Sequence, residues 1–186
     1  MFANVLHKTS KEMRDMNYQD TQRFERAKML QLPIQPLMKQ IKAIPKRVFD
    51  EHFTDKEFKY YNYACFISIL DIDNDEQKFD LSIENFLQVK MWDIEKDITD
   101  NDGTIYEKPS DIELKKIVDF VNKHKDKSVF IVHCSAGISR SGAVATFIRD
   151  KFINEIDKEK FNSENKYIQP NLYVLKRLNE LDAVVL

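Results

Sequence analysis

Val129-Phe130-Ile131-Val132-His133-Cys134-Ser135-Ala136-Gly137-Ile138-Ser139-Arg140-Ser141-Gly142 is the stretch on which the reading of this chain turns. Its first four residues form an unbroken β-branched and aromatic run, the pattern of a strand buried on both faces. The run stops at His133-Cys134, small residues carry the chain to Arg140, and Ala143-Val144-Ala145-Thr146-Phe147-Ile148 opens a buried helix. Strand, tight loop and helix N-terminus in that order make an anion site. Loop N–H groups converge, and the first helical turn adds unpaired donors and the positive end of its dipole. Gly137 and Gly142 are two of only three glycines in the chain. The loop therefore demands positive φ or a close approach of a ligand to the main chain.

Cys134 opens the loop and Arg140 closes it. A thiol at a helix N-terminus beside an arginine ionises readily near neutral pH, and a guanidinium fork grips two oxygens of a phosphate. A thiolate held where a tetrahedral dianion would sit is a nucleophile aimed at phosphorus. The pattern His133-Cys134-x5-Arg140-Ser141 resembles the signature of cysteine-based protein phosphatases. Ala136-Gly137-x-Ser139-Arg140-Ser141 is similar to the small dual-specificity-like and tyrosine phosphatases within that superfamily. Rhodanese-type sulfurtransferases also head a loop with cysteine, but they lack the Arg-Ser close. The resemblance follows the order of elements from about Arg47 to Leu181, includes Pro170-Asn171 ahead of an apolar helix, and is specific at the Cys134 loop. Substrate-recognition motifs of the large tyrosine-specific enzymes find no match, which implies a shallower, more permissive pocket.

The resemblance implies a role for each residue. Cys134 attacks phosphorus and forms a phosphocysteine, while Arg140 and the amides of Ser135, Ala136, Gly137, Ile138 and Ser139 bind the nonbridging oxygens. The Ser141 hydroxyl donates to the sulfur as it leaves, and it can also serve the backbone donors of the helix start. His133 is expected to be structural, bonding backbone groups behind the loop. The family places a general acid on a mobile loop upstream. Asp93 fits, because it follows the apolar strand candidate Phe86–Trp92; Asp97 and Asp102 on the same polar loop compete for the role. The implied activity is metal-free and cofactor-free hydrolysis of phosphomonoesters, foremost protein phosphotyrosine, with phosphoserine and phosphothreonine as further substrates. Two alternatives stay open: the same chemistry on a phosphoinositide or nucleic-acid 5′-phosphate, and a module that binds phosphoproteins without turnover.

A length of 186 residues suits one domain with a proper core. The net charge of −2 gives no reason to expect a nucleic-acid partner or a membrane-surface protein. No apolar run reaches membrane-span length, and His7, Lys8, Lys11 and Glu12 interrupt any signal-peptide core. Two distant cysteines make no disulfide scaffold, so a reducing, cytoplasmic setting is expected. Cys65 reads as a buried core thiol, with a reversible Cys65–Cys134 disulfide as a redox alternative. The acidic string Asp71-Ile72-Asp73-Asn74-Asp75-Glu76 begins like a calcium loop. Glu76 and Ser82 stand where glycine and a bidentate glutamate are needed, so it reads as a solvated turn.

Strands are expected at Arg47–Phe49, Tyr63–Leu70 and Phe86–Trp92, and a turn at Asp100–Gly103. A helix should start near Ser110 with Glu113 completing a capping box, and bury Leu114, Ile117, Val118 and Val121. A polar loop is expected over Lys158–Lys166, then a last helix with Pro170 as its first residue. Alternating strands and helices give an α/β fold with a largely parallel central sheet flanked by helices. Residues 1–45 read as an N-terminal extension, with one helix over Thr21–Leu30, and 46–186 as the catalytic domain. Ligands of such sheets bind beyond the carboxyl ends of the strands, where Cys134 lies.

Overall fold

The computed structural model describes residues 38–74 and 78–184. Two units are distinguished, Met1–Met38 and Lys39–Leu186. The second carries the sheet, and the boundary expected at residue 45 falls inside it. The helix expected over Thr21–Leu30 lies outside the described residues.

In chain order the elements are β1 (Gln40–Pro45), α1 (Lys46–His52), α2 (Asp55–Tyr60), β2 (Ala64–Leu70), β3 (Phe86–Lys90), β4 (Ile98–Thr99), β5 (Ile105–Tyr106), α3 (Asp111–Lys123), β6 (Val129–Cys134), α4 (Arg140–Lys151), α5 (Lys158–Glu164) and α6 (Leu172–Ala183). Four strands form one sheet in the order β1-β6-β2-β3, and every neighbouring pair is parallel. The α/β layering expected from the sequence is thus present. β4 and β5 form a separate small antiparallel ribbon.

Alternate side chains of the central strands serve two cores. Cys65, Ile67 and Ile69 of β2 and Phe130, Val132 and Cys134 of β6 pack with Leu114, Ile117 and Val121 of α3, Ala143 and Phe147 of α4, and Val174 and Leu178 of α6. On the opposite face Phe66 meets Phe49 and Phe53 of the α1 segment and Phe58 of α2 at ring separations of 6.3, 5.1 and 4.7 Å. With both faces covered, every residue of β2 and β6 is buried, which is why each reads as a continuous apolar run.

Several expectations are corrected. Arg47–Phe49 is helix, not strand: Pro45 ends β1 in an extended conformation, and Lys46–Asp50 and Arg47–Glu51 pair across one helical turn. The strand belongs one element earlier, at Gln40–Pro45. Lys158–Lys166 contains helix α5, capped by Asp157 and anchored by the buried Phe161. The last helix begins after Asn171, whose side chain accepts from Val174 N at 3.0 Å, so Pro170 precedes the cap. Only half of the Ser110 capping box forms, because the Glu113 carboxylate turns to Lys116. The outer edge of β1 is covered by Asn165, which accepts from Ala43 N at 2.8 Å and donates to Ile41 O at 2.8 Å. This side chain does the work of a fifth strand at that point.

Candidate active site

Parallel strands end at one pole of the sheet, and β6 delivers Cys134 there between Pro45 of β1 and the end of β2. The loop to Arg140 must bend back at once to start α4. Gly137 makes the bend at φ +75°, and a Cβ there would lie 2.4 Å from the carbonyl carbon of Ile44 and from Pro45 N. Gly142 answers a different demand. Its helical backbone is approached by Ile168, whose Cβ would stand 3.0 Å from an added Cβ.

Outward bonds fix the orientation of the loop peptides. Ser135 O accepts from Lys46 N, Ile138 O from Gln169 N, and Ser139 O from Asn171 N and Ala143 N, at 3.3, 3.1, 3.2 and 2.9 Å. With these carbonyls turned away, the N–H groups of Ala136, Gly137, Ile138 and Ser139 have no protein acceptor among the described residues. A cradle of donors at a helix N-terminus results, the arrangement that takes a tetrahedral anion. Cys134 heads the loop, with its Sγ 3.2 Å from Ser141 Oγ.

Arg140 is 3 % exposed yet held at several points. Its Nη1 meets Asp71 Oδ1 at 2.8 Å and donates to Met91 O at 2.7 Å, and its Nη2 donates to Ser135 Oγ at 3.1 Å. Ser135 Oγ in turn donates to Asp71 Oδ2 at 2.8 Å. The buried Nε has no hydrogen-bond partner among the described residues. Asp93 stands beside it, with Oδ2 at 3.9 Å from Nε. Asp93 Oδ1 accepts from Ser139 Oγ at 2.7 Å and from Asn171 Nδ2 at 3.0 Å.

The two competing aspartates point elsewhere. Hydrogen bonds from the backbone and side chain of Lys108 hold the Asp97 carboxyl below its ordinary range. The Thr104 amide does the same to Asp102 inside the turn at Gly103. Both are surface groups that favour the ionised form, and neither reaches the loop.

His133 is buried on β6 directly ahead of Cys134, and its ring lies against Phe49 at 4.1 Å. Burial, with Lys46 and Arg140 nearby, lowers its pKa to about 4, so the ring is neutral at physiological pH. The Cys65–Cys134 disulfide is also excluded. Cys65 pairs with Phe130, four residues short of Cys134 along β6. At about 3.3 Å per residue the two thiols are about 13 Å apart along the strands, far beyond disulfide reach. Burial raises the Cys65 thiol to about 12.

The protein-tyrosine phosphatase family model matches residues 46–168. The chain belongs to the protein-tyrosine phosphatase family. It is 25% identical over 120 residues to AMV078, a tyrosine-protein phosphatase homologue of Amsacta moorei entomopoxvirus, covering 63% of this chain and 67% of that one. Among solved structures, human DUSP28 superposes with a TM-score of 0.47 at 12% identity, over 78% of this chain and 92% of that one. The Cydia pomonella PTP-2 phosphatase gives 0.46 at 18% identity, over 76% and 84%.

In this phosphatase the sequence reading missed Asp71, which it took for part of a solvated turn. Its signal is positional: Ser68 pairs with His133, so the residue just past β2 emerges beside the Cys134 loop. Asn171 entered only through the resemblance, and the structure gives it hydrogen bonds to Asp93, Ser139, Val174 and Leu175. Among the described residues no helix is long and apolar enough to cross a membrane.

Proposed function

We propose that this phosphatase hydrolyses phosphomonoesters through a phosphocysteine on Cys134, with protein phosphotyrosine the principal substrate and phosphoserine or phosphothreonine admitted by a shallow pocket. The observation that carries the reading is a loop whose N–H groups from Ala136 to Ser139 have no protein acceptor among the described residues, headed by Cys134 with its Sγ 3.2 Å from the Ser141 hydroxyl. In the first step the thiolate attacks in line, the S–P bond forms and the P–O bond to the substrate breaks. Asp93 supplies the proton to the departing oxygen. In the second, Asp93 takes a proton from water as it attacks phosphorus, the S–P bond breaks, and Ser141 donates to the sulfur. The amides of Ser135–Arg140 and the Arg140 Nε face the charge that grows on the nonbridging oxygens. Asp71 and Met91 O hold the far edge of the guanidinium, so that Arg140 is oriented before phosphate arrives.

Asp93 is preferred over Asp97 and Asp102 because it alone contacts loop residues. A nucleophilic thiol requires a reducing setting, which supports an intracellular location. Turnover of an aryl phosphate without added metal tests the reading. Wild-type protein should hydrolyse it and Cys134→Ser should not. An inert, fully reduced wild-type protein that still binds vanadate would instead be a phosphoprotein-binding module.

A further inference from the structure

The first turn of α6 ties the loop that carries Asp93 to the loop that carries Cys134. Asn171, its cap, donates from its backbone N–H to Ser139 O at 3.2 Å and from Nδ2 to Asp93 Oδ1 at 3.0 Å. The N–H of Leu172, the first helical residue, has no acceptor inside the helix. It donates instead to Glu95 Oε1 at 2.9 Å, on the same loop as Asp93 and two residues beyond it. α6 has no acidic residue of its own in its first turn. Glu95 therefore brings the negative charge that the positive end of the helix dipole favours. Beyond Glu95 the loop turns into the β4–β5 ribbon, closed on itself by Asp97 with Lys108 and by Trp92 against Tyr106 at 5.4 Å.

A general acid works only where its proton meets the departing oxygen, and a misplacement of about 1 Å can cost about 10²-fold in rate. Asp93 lies on an exposed stretch of chain, so its place beside the Cys134 loop depends on what that stretch is fastened to. Ser139 and Asn171 bond Asp93 Oδ1 and so orient the carboxyl, but they do not hold the chain that carries it. We propose that Glu95 is a positioning residue for Asp93: by closing the N-terminus of α6 it seats the acid's loop against the Cys134 loop. The inference rests on Asp93 as the general acid and adds the residue that fixes its place. Glu95 touches no reacting atom and acts through the chain it pins.

The test compares kcat/KM across aryl phosphates of graded leaving-group basicity, because kcat/KM ends at departure of the leaving group and its slope reports protonation of that group. Wild type should give a shallow slope and Asp93→Asn a steep one. Glu95→Ala should steepen the slope, losing about tenfold on the most basic leaving group and less than about twofold on the most activated one. Glu95→Gln keeps the accepting oxygen and should keep the wild-type slope. Leu172→Pro removes the donor from the other side of the bond, at an exposed first helical position that tolerates proline. It should match Glu95→Ala, and the double variant should be no worse than either. If one of these two variants does not fold, the other decides. A wild-type slope in Glu95→Ala beside a steep one in Asp93→Asn would overturn the role of Glu95 and leave Asp93 in place, even if the melting temperature fell. Wild-type slopes in both, or an inert wild-type protein, would overturn Asp93 as the acid and this proposal with it.

Discussion

Asp93 and His133 carry the two sharpest expectations at the scale of single residues. With Asp93 as general acid, Asp93→Asn should lower kcat about 10²–10⁴-fold on phosphotyrosine peptide. On an activated aryl phosphate, whose leaving group needs no proton, the loss should be much smaller. Equal losses on both substrates would remove Asp93 from the role. His133 affects stability instead. Its folded pKa of about 4 lies below the ordinary 6.5, so the unfolded chain binds the proton first as pH falls. Its contribution is intact above about pH 6.5 and is lost progressively down to about pH 4, by about 3 kcal/mol in all. Urea titrations across that window should show the loss in wild type and a flatter profile in His133→Gln. That Cys134, Arg140 and Ser141 share one strand–loop–helix turn was legible because residue type and spacing mark that turn. Asp71 was not, since an acidic string looks the same whether it is solvated or paired with a buried arginine.

At the scale of elements, the loop between β6 and α4 depends on one backbone angle. Gly137→Ala places a methyl carbon 2.4 Å from backbone atoms of Ile44 and Pro45, which no side-chain movement relieves. Together with the positive φ, the substitution should cost at least about 2 kcal/mol and lower the melting temperature by about 4 °C or more. A melting temperature within a degree of wild type would show that the loop takes another path. β2, β6 and α3 were readable from sequence because burial on two faces, or on one helical stripe, imposes a strong pattern. α5 was not, because one buried residue, Phe161, anchors an otherwise polar helix. β1 was hidden for a related reason. Gln40–Pro45 is a half-buried edge strand whose pairing with β6 and covering by Asn165 come from segments distant in sequence.

Across the whole molecule, sheet order decides what the chemistry can and cannot do. The parallel order β1-β6-β2-β3 gathers the end of β6, Asp71 after β2 and Asp93 after β3 at one pole. Residues far apart in sequence thereby meet at one loop. The same register keeps the two cysteines apart, so peroxide treatment followed by non-reducing peptide mapping should yield no Cys65–Cys134 linked peptide. Finding one would require β2 to slide about four residues along β6. The α/β class and the pole of the site could be read from alternating elements ending in one loop. The strand order, and with it the approach of Asp71, depends on packing that local sequence does not encode. The most direct test of the mechanism is rapid-quench mass spectrometry of Ser141→Ala during turnover, because loss of the hydroxyl should slow the second step and let the intermediate build up. One phosphoryl group on the peptide containing Cys134 is the expected result. Sustained turnover with an unmodified Cys134, or with the phosphoryl group on another residue, would contradict it.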